Sequence, residues 1–174
     1  MSCGAVSILG VKGRLFRISF SGELGFELAV PSRFGDSLFR ILITKAEELG
    51  GCVYGLEALN VLRVEKGFIT HAEIDGRVTA MDLGLQRMVS QKKDCIGKTA
   101  SERPGLMECE RPRLIGLKTV GAVKQLTAGA HLFNETDPAQ SAYDLVFIPS
   151  VASSPVLERY QGLSFLKNAE ERIG

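Results

Sequence analysis

The stretch that decides the fold is Arg14–Val30, which reads RLFRISFSGELGFELAV. Its first part alternates in polarity and places Phe16 and Phe20 on one face, and alternation with a period of two indicates a β-strand. The part from Phe26 to Val30 alternates again. The SGELG segment between them contains two glycines, which favour a turn. The stretch therefore predicts a β-hairpin of strands 14–20 and 26–30 with a loop longer than the minimal one.

Two helices are predicted directly after this hairpin. The first begins at Pro31-Ser32, carries its apolar residues on one stripe and ends at Gly50-Gly51. The second runs from Leu56 to about Lys66 and is stopped by Gly67. Two strands followed by two helices predict an α+β domain, in which helices cover one face of an antiparallel sheet.

Beyond about residue 110 the pattern changes to short strands. The residues from 68 to 111 are irregular, with one short helix predicted near Lys98–Arg103 and a linker marked by proline and glycine. The expected domains are an α+β domain over residues 1–110 and a small C-terminal antiparallel β-barrel over residues 111–174. The predicted barrel strands are Leu114–Val120, Ala130–Asn134, Asp144–Val151 and Gly162–Leu166.

Composition excludes several classes of protein. Lys and Arg number 21 and Asp and Glu number 20 in 174 residues, and this near-zero net charge argues against a nucleic-acid partner. No apolar run approaches the ~20 residues of a membrane helix, so no membrane partner is expected. The four cysteines lack a C-x-x-C spacing, which indicates reduced thiols and a cytoplasmic location. The two histidines cannot build a His-rich metal site, so no metal ligands are predicted.

Glu27 and Phe20 are the candidate ligand-binding residues. The carboxylate of Glu27 lies in the middle of a predicted strand and offers two acceptor oxygens, which suit the paired N–H donors of a planar heterocycle. The alternative is a solvent-facing glutamate on a one-sided sheet. Phe20 offers an aromatic face for stacking such a ring. The alternative is a core residue that pairs with Phe16 and Ile18.

Four runs of the sequence resemble one family in the same order. They read RISFSGELGFELAVP, YGLEALNVLRVEKGFI, EIDGRVTAMDLGL and KKDCIGK. Together they resemble the folate-binding aminomethyltransferase superfamily, whose founding member is the glycine-cleavage T-protein. Within it, SFSGELGFE and EALNVLRVEKGF resemble the branch formed by the C-terminal part of sarcosine oxidase α subunits.

The resemblance implies a tetrahydrofolate ligand. The pterin-binding glutamate of the family falls on Glu27, and the aromatic residue seven positions earlier falls on Phe20, which lacks a tyrosine hydroxyl. The folate-contacting arginine of the T-protein falls on Leu59, so that contact is absent. Cys95 replaces a phenylalanine of the family pattern. In the predicted barrel, Pro149 replaces a threonine, and a proline there is costly unless it lies at an edge or a bulge.

The resemblance also implies a larger assembly. In such an assembly, sarcosine is oxidatively demethylated to glycine, and tetrahydrofolate takes up the one-carbon unit that is released. FAD, FMN and NAD are implied for the full assembly only, with the other subunits and the upstream part of the α subunit as partners. The acidic catalytic residue of the family falls before Met1, so no catalytic residue is assigned and the chain is expected to be a fragment or a truncated paralogue. The alternatives are a non-catalytic folate-binding or assembly module and a fragment of a T-protein-like aminomethyltransferase.

Overall fold

The computed structural model describes residues 1–140 and 146–169. The chain divides into two compact units, Met1–Phe68 and the residues from Ile69 onward. None of the helices in the described ranges has the length and apolar character needed to span a bilayer.

The division between the units precedes the domain boundary predicted near residue 110. Backbone and side-chain hydrogen bonds tie the segment before residue 110 to the strand that follows it. The amide of Leu114 donates to the carbonyl of Asp82 at 2.8 Å, and Nη1 of Arg113 donates to the carbonyl of Met81 at 2.9 Å. Residues 69–110 therefore belong to the second compact unit by contact, and the domain boundary itself stays a prediction.

The first unit contains one antiparallel sheet. Its strands are β1 (Ser2–Ile8), β2 (Val11–Arg17) and β3 (Glu27–Ala29), in the order β1-β2-β3. The predicted hairpin is present as β2 and β3, although β2 ends three residues before Phe20. β1 was not predicted, because SCGAVSI is rich in small residues and carries only a weak alternation.

Two helices follow the sheet in the chain, and the first of them shares a cavity lining with it. A short 3₁₀ turn precedes α1 (Gly35–Glu48), and α2 (Leu56–Lys66) follows, which confirms both predicted helices. α2 ends at Gly67 with φ +76°, a left-handed conformation that glycine adopts without steric cost. Apolar residues of the sheet and of α1 line one cavity of about 230 Å³. The residues of the opposite sheet face that are exposed include Cys3, Ala5, Ser7, Lys12, Arg14, Glu27 and Ala29.

The second unit combines irregular segments, a short helix and antiparallel strands. The helix is α3 (Lys98–Ser101), as predicted. The strands are β4 (Arg113–Lys118), β5 (His131–Leu132), β6 (Val146–Phe147), β7 (Ser150–Ser154) and β8 (Arg159–Leu166). They form a three-stranded sheet in the order β4-β8-β7 and a two-stranded ribbon of β5 and β6. Among the described residues they do not close on one another, so a closed barrel stays a prediction.

The core of the described chain is concentrated around β7 and β8. Ile148 is 2% exposed and Leu163 4%. The predicted strand over residues 144–151 is interrupted at Ile148 and Pro149, and its first two residues lie outside the described ranges. Pro149 stands between β6 and β7, where its missing N–H leaves no gap in either strand pairing. The structure thus avoids the cost that a proline within a strand would carry.

Candidate functional site

Glu27 lies at the start of β3 on the open face of the first sheet. Its cross-strand partner is Phe16 of β2, whose partner on the other side is Cys3 of β1. Residues that face each other in this way have their Cα atoms about 4.5–5.5 Å apart and share one side of the sheet. Glu27 is exposed, and its side chain forms no hydrogen bond or ion pair with any described residue. Both carboxylate oxygens are therefore free to accept hydrogen bonds from a ligand.

Phe20 lies in the loop between β2 and β3 and not in a strand. It is 37% exposed. The structure therefore brings the two predicted binding residues into one hairpin without placing them opposite each other. The aromatic ring opposite Glu27 belongs to the half-buried Phe16, which the alternation pattern assigned to the same face as Phe20. Sequence reasoning missed this pair because a long hairpin loop does not reveal the register of its strands.

The loop before Glu27 is held in place at both ends. Nη1 of Arg17 donates to the carbonyl of Gly25 at 3.1 Å, and the Arg17 guanidinium lies 5.5 Å from the centre of the Phe26 ring. The amide of Gly22 donates to Oγ of Ser19 at 3.0 Å. These contacts fix the chain on the two sides of the turn, and they limit how far β3 can move relative to β2.

Gly25 is required for the close approach within this loop. A Cβ at this position would lie 2.9 Å from the carbonyl oxygen of Ile18 and 2.9 Å from Cβ of Ser19. We expect Gly25→Ala to lower the free energy of unfolding by roughly 1 kcal/mol, since an exposed loop relaxes more than a core does. Gly35→Ala is the control, because a Cβ there meets nothing within 4 Å. Urea denaturation measures both variants, and equal midpoints for the two would contradict the prediction.

The second unit contains a buried ion pair between Asp82 and Arg111. The Asp82 side chain is 2% exposed, and Nε of Arg111 donates to its Oδ1 at 3.0 Å. The amide of Thr79 donates to Oδ2 of Asp82 at 2.8 Å. Burial raises the pKa of the Asp82 carboxyl, but the hydrogen bonds from Arg111 and Thr79 outweigh it and hold the pKa below its ordinary value. The carboxylate is therefore charged at neutral pH and fully engaged in holding the fold.

A cavity of about 280 Å³ borders this ion pair. Its walls are mainly apolar and include Phe147 and Phe165, and its charged groups include Asp75 and Arg77. Nε of Arg77 donates to Oδ2 of Asp75 at 3.0 Å. Both arginines that line the cavity thus already hold a neighbouring carboxylate, so the cavity wall is stabilised by pairs internal to the unit.

The cysteines carry no disulfide in the described ranges. All four cysteines are free and exposed, Cys95 among them. No cluster of three His, Cys, Asp or Glu side chains suited to a metal ion occurs in residues 1–140 and 146–169. Leu59, at the position of the arginine in the family pattern, is half-buried in α2. The hairpin that carries Glu27 is therefore the candidate ligand site of the described chain.

Comparison with known proteins assigns the family. The family model of the GCVT N-terminal domain matches residues 1–93, and the chain therefore belongs to the GCVT aminomethyltransferase family. Within that family, the chain is similar to sarcosine oxidase α subunits over almost its whole length. It is 39% identical over 172 residues to that of Rhizobium meliloti (strain 1021), and 35% identical over 168 residues to that of Corynebacterium sp. (strain U-96).

These matches cover nearly all of this chain but only a small part of each relative. They include 97% and 95% of this chain but only 17% of each α subunit. An aminomethyltransferase of Streptomyces coelicolor is 27% identical over 178 residues, covering 97% of this chain and 45% of that protein. By their names these relatives are enzymes or subunits of enzymes.

A solved structure supports the fold. Glycine cleavage system aminomethyltransferase T from Bartonella henselae matches with a TM-score of 0.74 at 22% identity. The match covers 90% of this chain and 42% of that one. The arrangement of helices and antiparallel sheets described above is thus an aminomethyltransferase-like fold.

Proposed function

We propose that this chain is the tetrahydrofolate-binding C-terminal portion of a sarcosine oxidase α subunit. In this role it supports the oxidative demethylation of sarcosine to glycine, with transfer of the one-carbon unit to tetrahydrofolate. The observation that carries the proposal is the uncommitted carboxylate of Glu27 beside the Phe16 ring, on a sheet face that stays exposed within the first unit. The similarity of this chain to sarcosine oxidase α subunits, at 39% identity to the one from Rhizobium meliloti, supports the choice of enzyme.

The residues of the hairpin fit a pterin ring. A carboxylate with two free oxygens accepts a pair of parallel N–H donors, and the pterin ring presents such a pair at its ring nitrogen and amino group. The rings of Phe16 and Phe20 offer apolar surface in the same hairpin. An aromatic surface next to a hydrogen-bonding group binds a planar heterocycle in one orientation.

The contribution of this chain to the reaction is orientation. Bound tetrahydrofolate supplies the nitrogen atoms that take up the one-carbon unit. Glu27 accepts hydrogen bonds from the far edge of the ring, and the hairpin loop held by Arg17 and Gly25 keeps that carboxylate in position. Fixing a reactant in this way lowers the entropic part of the barrier to its reaction. The flavins and NAD of the complete oxidase belong to the rest of the assembly, as do the other subunits.

Glu27→Gln tests the proposal. Glutamine keeps the size of the side chain but replaces one acceptor oxygen by an amino group, which opposes the N–H donors of the ring. Hydrogen bonds to a charged group contribute about 1.5–3 kcal/mol, so we expect the Kd for tetrahydrofolate to rise roughly 10- to 100-fold. Isothermal titration of the full chain with tetrahydrofolate measures the change.

Glu47→Gln is the matched control, since Glu47 is an exposed residue of α1 that forms no side-chain hydrogen bond or ion pair with a described residue. This variant should bind like the wild type. Equal affinity of wild type and Glu27→Gln would overturn the assignment of the site.

A further inference from the structure

Two cationic residues share the open sheet face with Glu27. Arg14 lies two residues before Phe16 on β2, and Lys12 lies two residues before Arg14. Side chains two residues apart along a strand lie on the same face, with a spacing of about 7 Å. Along β2, Arg14 therefore lies about 7 Å from the Phe16–Glu27 pair, and Lys12 lies about 13 Å from it.

The neighbours of these two cations are small. Arg14 stands between Ala5 of β1 and Ala29 of β3, and Lys12 stands opposite Ser7. An open depression of about 330 Å³ runs along this part of the sheet and includes Lys12, Arg14 and Ala29 in its lining. The small side chains thus leave room beside the ammonium and guanidinium groups.

Neither cation is neutralised within the described chain. Arg14 and Lys12 are both exposed and form no hydrogen bond or ion pair through their side chains with a described residue. Two cations of α1, in contrast, have acidic partners. Arg40 pairs with Asp36 at 2.9 Å, and Lys45 pairs with Glu48. Two adjacent positive charges without counterions, at the edge of a depression, attract anions.

We propose that Lys12 and Arg14 form an anion subsite, which holds the negatively charged end of the ligand whose ring Glu27 binds. This inference rests on the proposed function, and it specifies the ligand class further. The ligand is elongated, with an N–H-donating ring at one end and carboxylate or phosphate groups at the other. Tetrahydrofolate, which ends in a glutamyl group, belongs to this class, and a ring without an anionic end does not.

The test compares two ligands on two double variants of the full chain. One variant is Lys12→Gln/Arg14→Gln, and the control is Arg40→Gln/Lys45→Gln, which removes the same charge from α1. The ligands are tetrahydrofolate and a tetrahydropterin that lacks the glutamyl end. We expect Lys12→Gln/Arg14→Gln to weaken tetrahydrofolate binding by roughly 5- to 10-fold, as for two exposed ion pairs, and to leave the tetrahydropterin affinity unchanged.

The effect on tetrahydrofolate should shrink as salt is added, because exposed charges are screened. An unchanged ratio of the two affinities in Lys12→Gln/Arg14→Gln would overturn the anion subsite while leaving the proposed function intact. Failure of the wild type to bind either ring would overturn the proposed function.

A third arm of the experiment uses anions without a ring, so that it does not depend on the proposed function. Triglutamate and tripolyphosphate are titrated separately, which distinguishes a carboxylate site from a phosphate site. Weaker binding of either anion to Lys12→Gln/Arg14→Gln than to the control supports the subsite. Equal binding of both anions to both variants overturns it.

Discussion

Replacing Arg111 by methionine is expected to lower the free energy of unfolding by roughly 3–5 kcal/mol, because it leaves the buried carboxylate of Asp82 without its cationic partner. The Asp82 side chain is 2% exposed, so the carboxylate depends on its protein partners for most of its hydrogen bonds. The same guanidinium also donates to the carbonyl of Arg77 at 2.8 Å, and that bond is lost as well. Chemical denaturation at neutral pH measures the effect.

The pH dependence separates this mechanism from a simple loss of packing. In the wild type the pKa of Asp82 lies below its ordinary value of 3.8. The stability that the carboxylate contributes is therefore present above the unfolded pKa, and it is lost as the pH falls through the lower folded pKa. In Arg111→Met the burial remains and the hydrogen bonds from Arg111 are gone, so the pKa of Asp82 rises. The difference in stability between the two proteins should shrink as the pH falls from the raised pKa of Asp82 in the variant toward its lowered pKa in the wild type.

Two further variants serve as controls. Asp82→Asn in the Arg111→Met background removes the buried charge and should recover part of the lost stability. Arg103→Met, at an exposed position without a side-chain partner in the described chain, should change the stability by less than about 0.5 kcal/mol. If Arg111→Met lowers the free energy of unfolding by the same amount at pH 7 and at pH 3, the unpaired charge of Asp82 is not the cause of the loss.

Gly162→Ala is expected to cost roughly 2–3 kcal/mol, because β8 is the central strand and the added methyl group has no space. A Cβ at Gly162 would lie 2.8 Å from Cγ2 of Ile148 and 3.0 Å from the carbonyl oxygen of Ser150. Ile148 is 2% exposed and cannot turn away, and Ser150 is held by its pairing with Leu163. Relief of the clash therefore has to break strand pairing or core packing.

Gly116→Ala is the matched control for this substitution. Gly116 lies in β4 of the same sheet, and a Cβ there meets nothing within 4 Å. Its replacement should leave the denaturation midpoint nearly unchanged. Indistinguishable midpoints for Gly162→Ala and Gly116→Ala would contradict the prediction, because they would mean that β8 accommodates the added methyl group without loss of stability.

The regular elements could be predicted where a single residue marks their ends. Gly67 terminates α2 as expected, and the alternation in Arg14–Val30 identifies the β2–β3 hairpin. β1 escaped prediction because its side chains are small, and its place in the sheet comes from pairing with β2. The sequence indicated that a proline within a strand would be destabilising. Only the structure shows that Pro149 lies between two strands and not within one.

The binding role of Glu27 and Phe20 stays a prediction. The residue pattern left open whether Glu27 binds a ligand or only faces solvent, the family resemblance favoured the ligand, and the structure places Glu27 on an open face. Its pairing with Phe16 depends on where β2 ends, which the loop contacts of Arg17 and Ser19 decide. The pair of Asp82 and Arg111 joins residues 29 positions apart, and no local pattern indicates a contact of that separation.

The order of strands in the second unit has a consequence for folding kinetics. β4 and β7 both pair with β8 and not with each other, and the pairing of β4 with β8 closes a loop of about forty residues. The β1–β2 hairpin closes through Leu9 and Gly10 alone, and hairpins of this kind form in about 1–10 μs. β4 therefore has no partner strand in this sheet until β8 has been synthesised. We therefore expect the sheet of the second unit to form more slowly than the β1–β2 hairpin, and its apolar strands to stay exposed for longer.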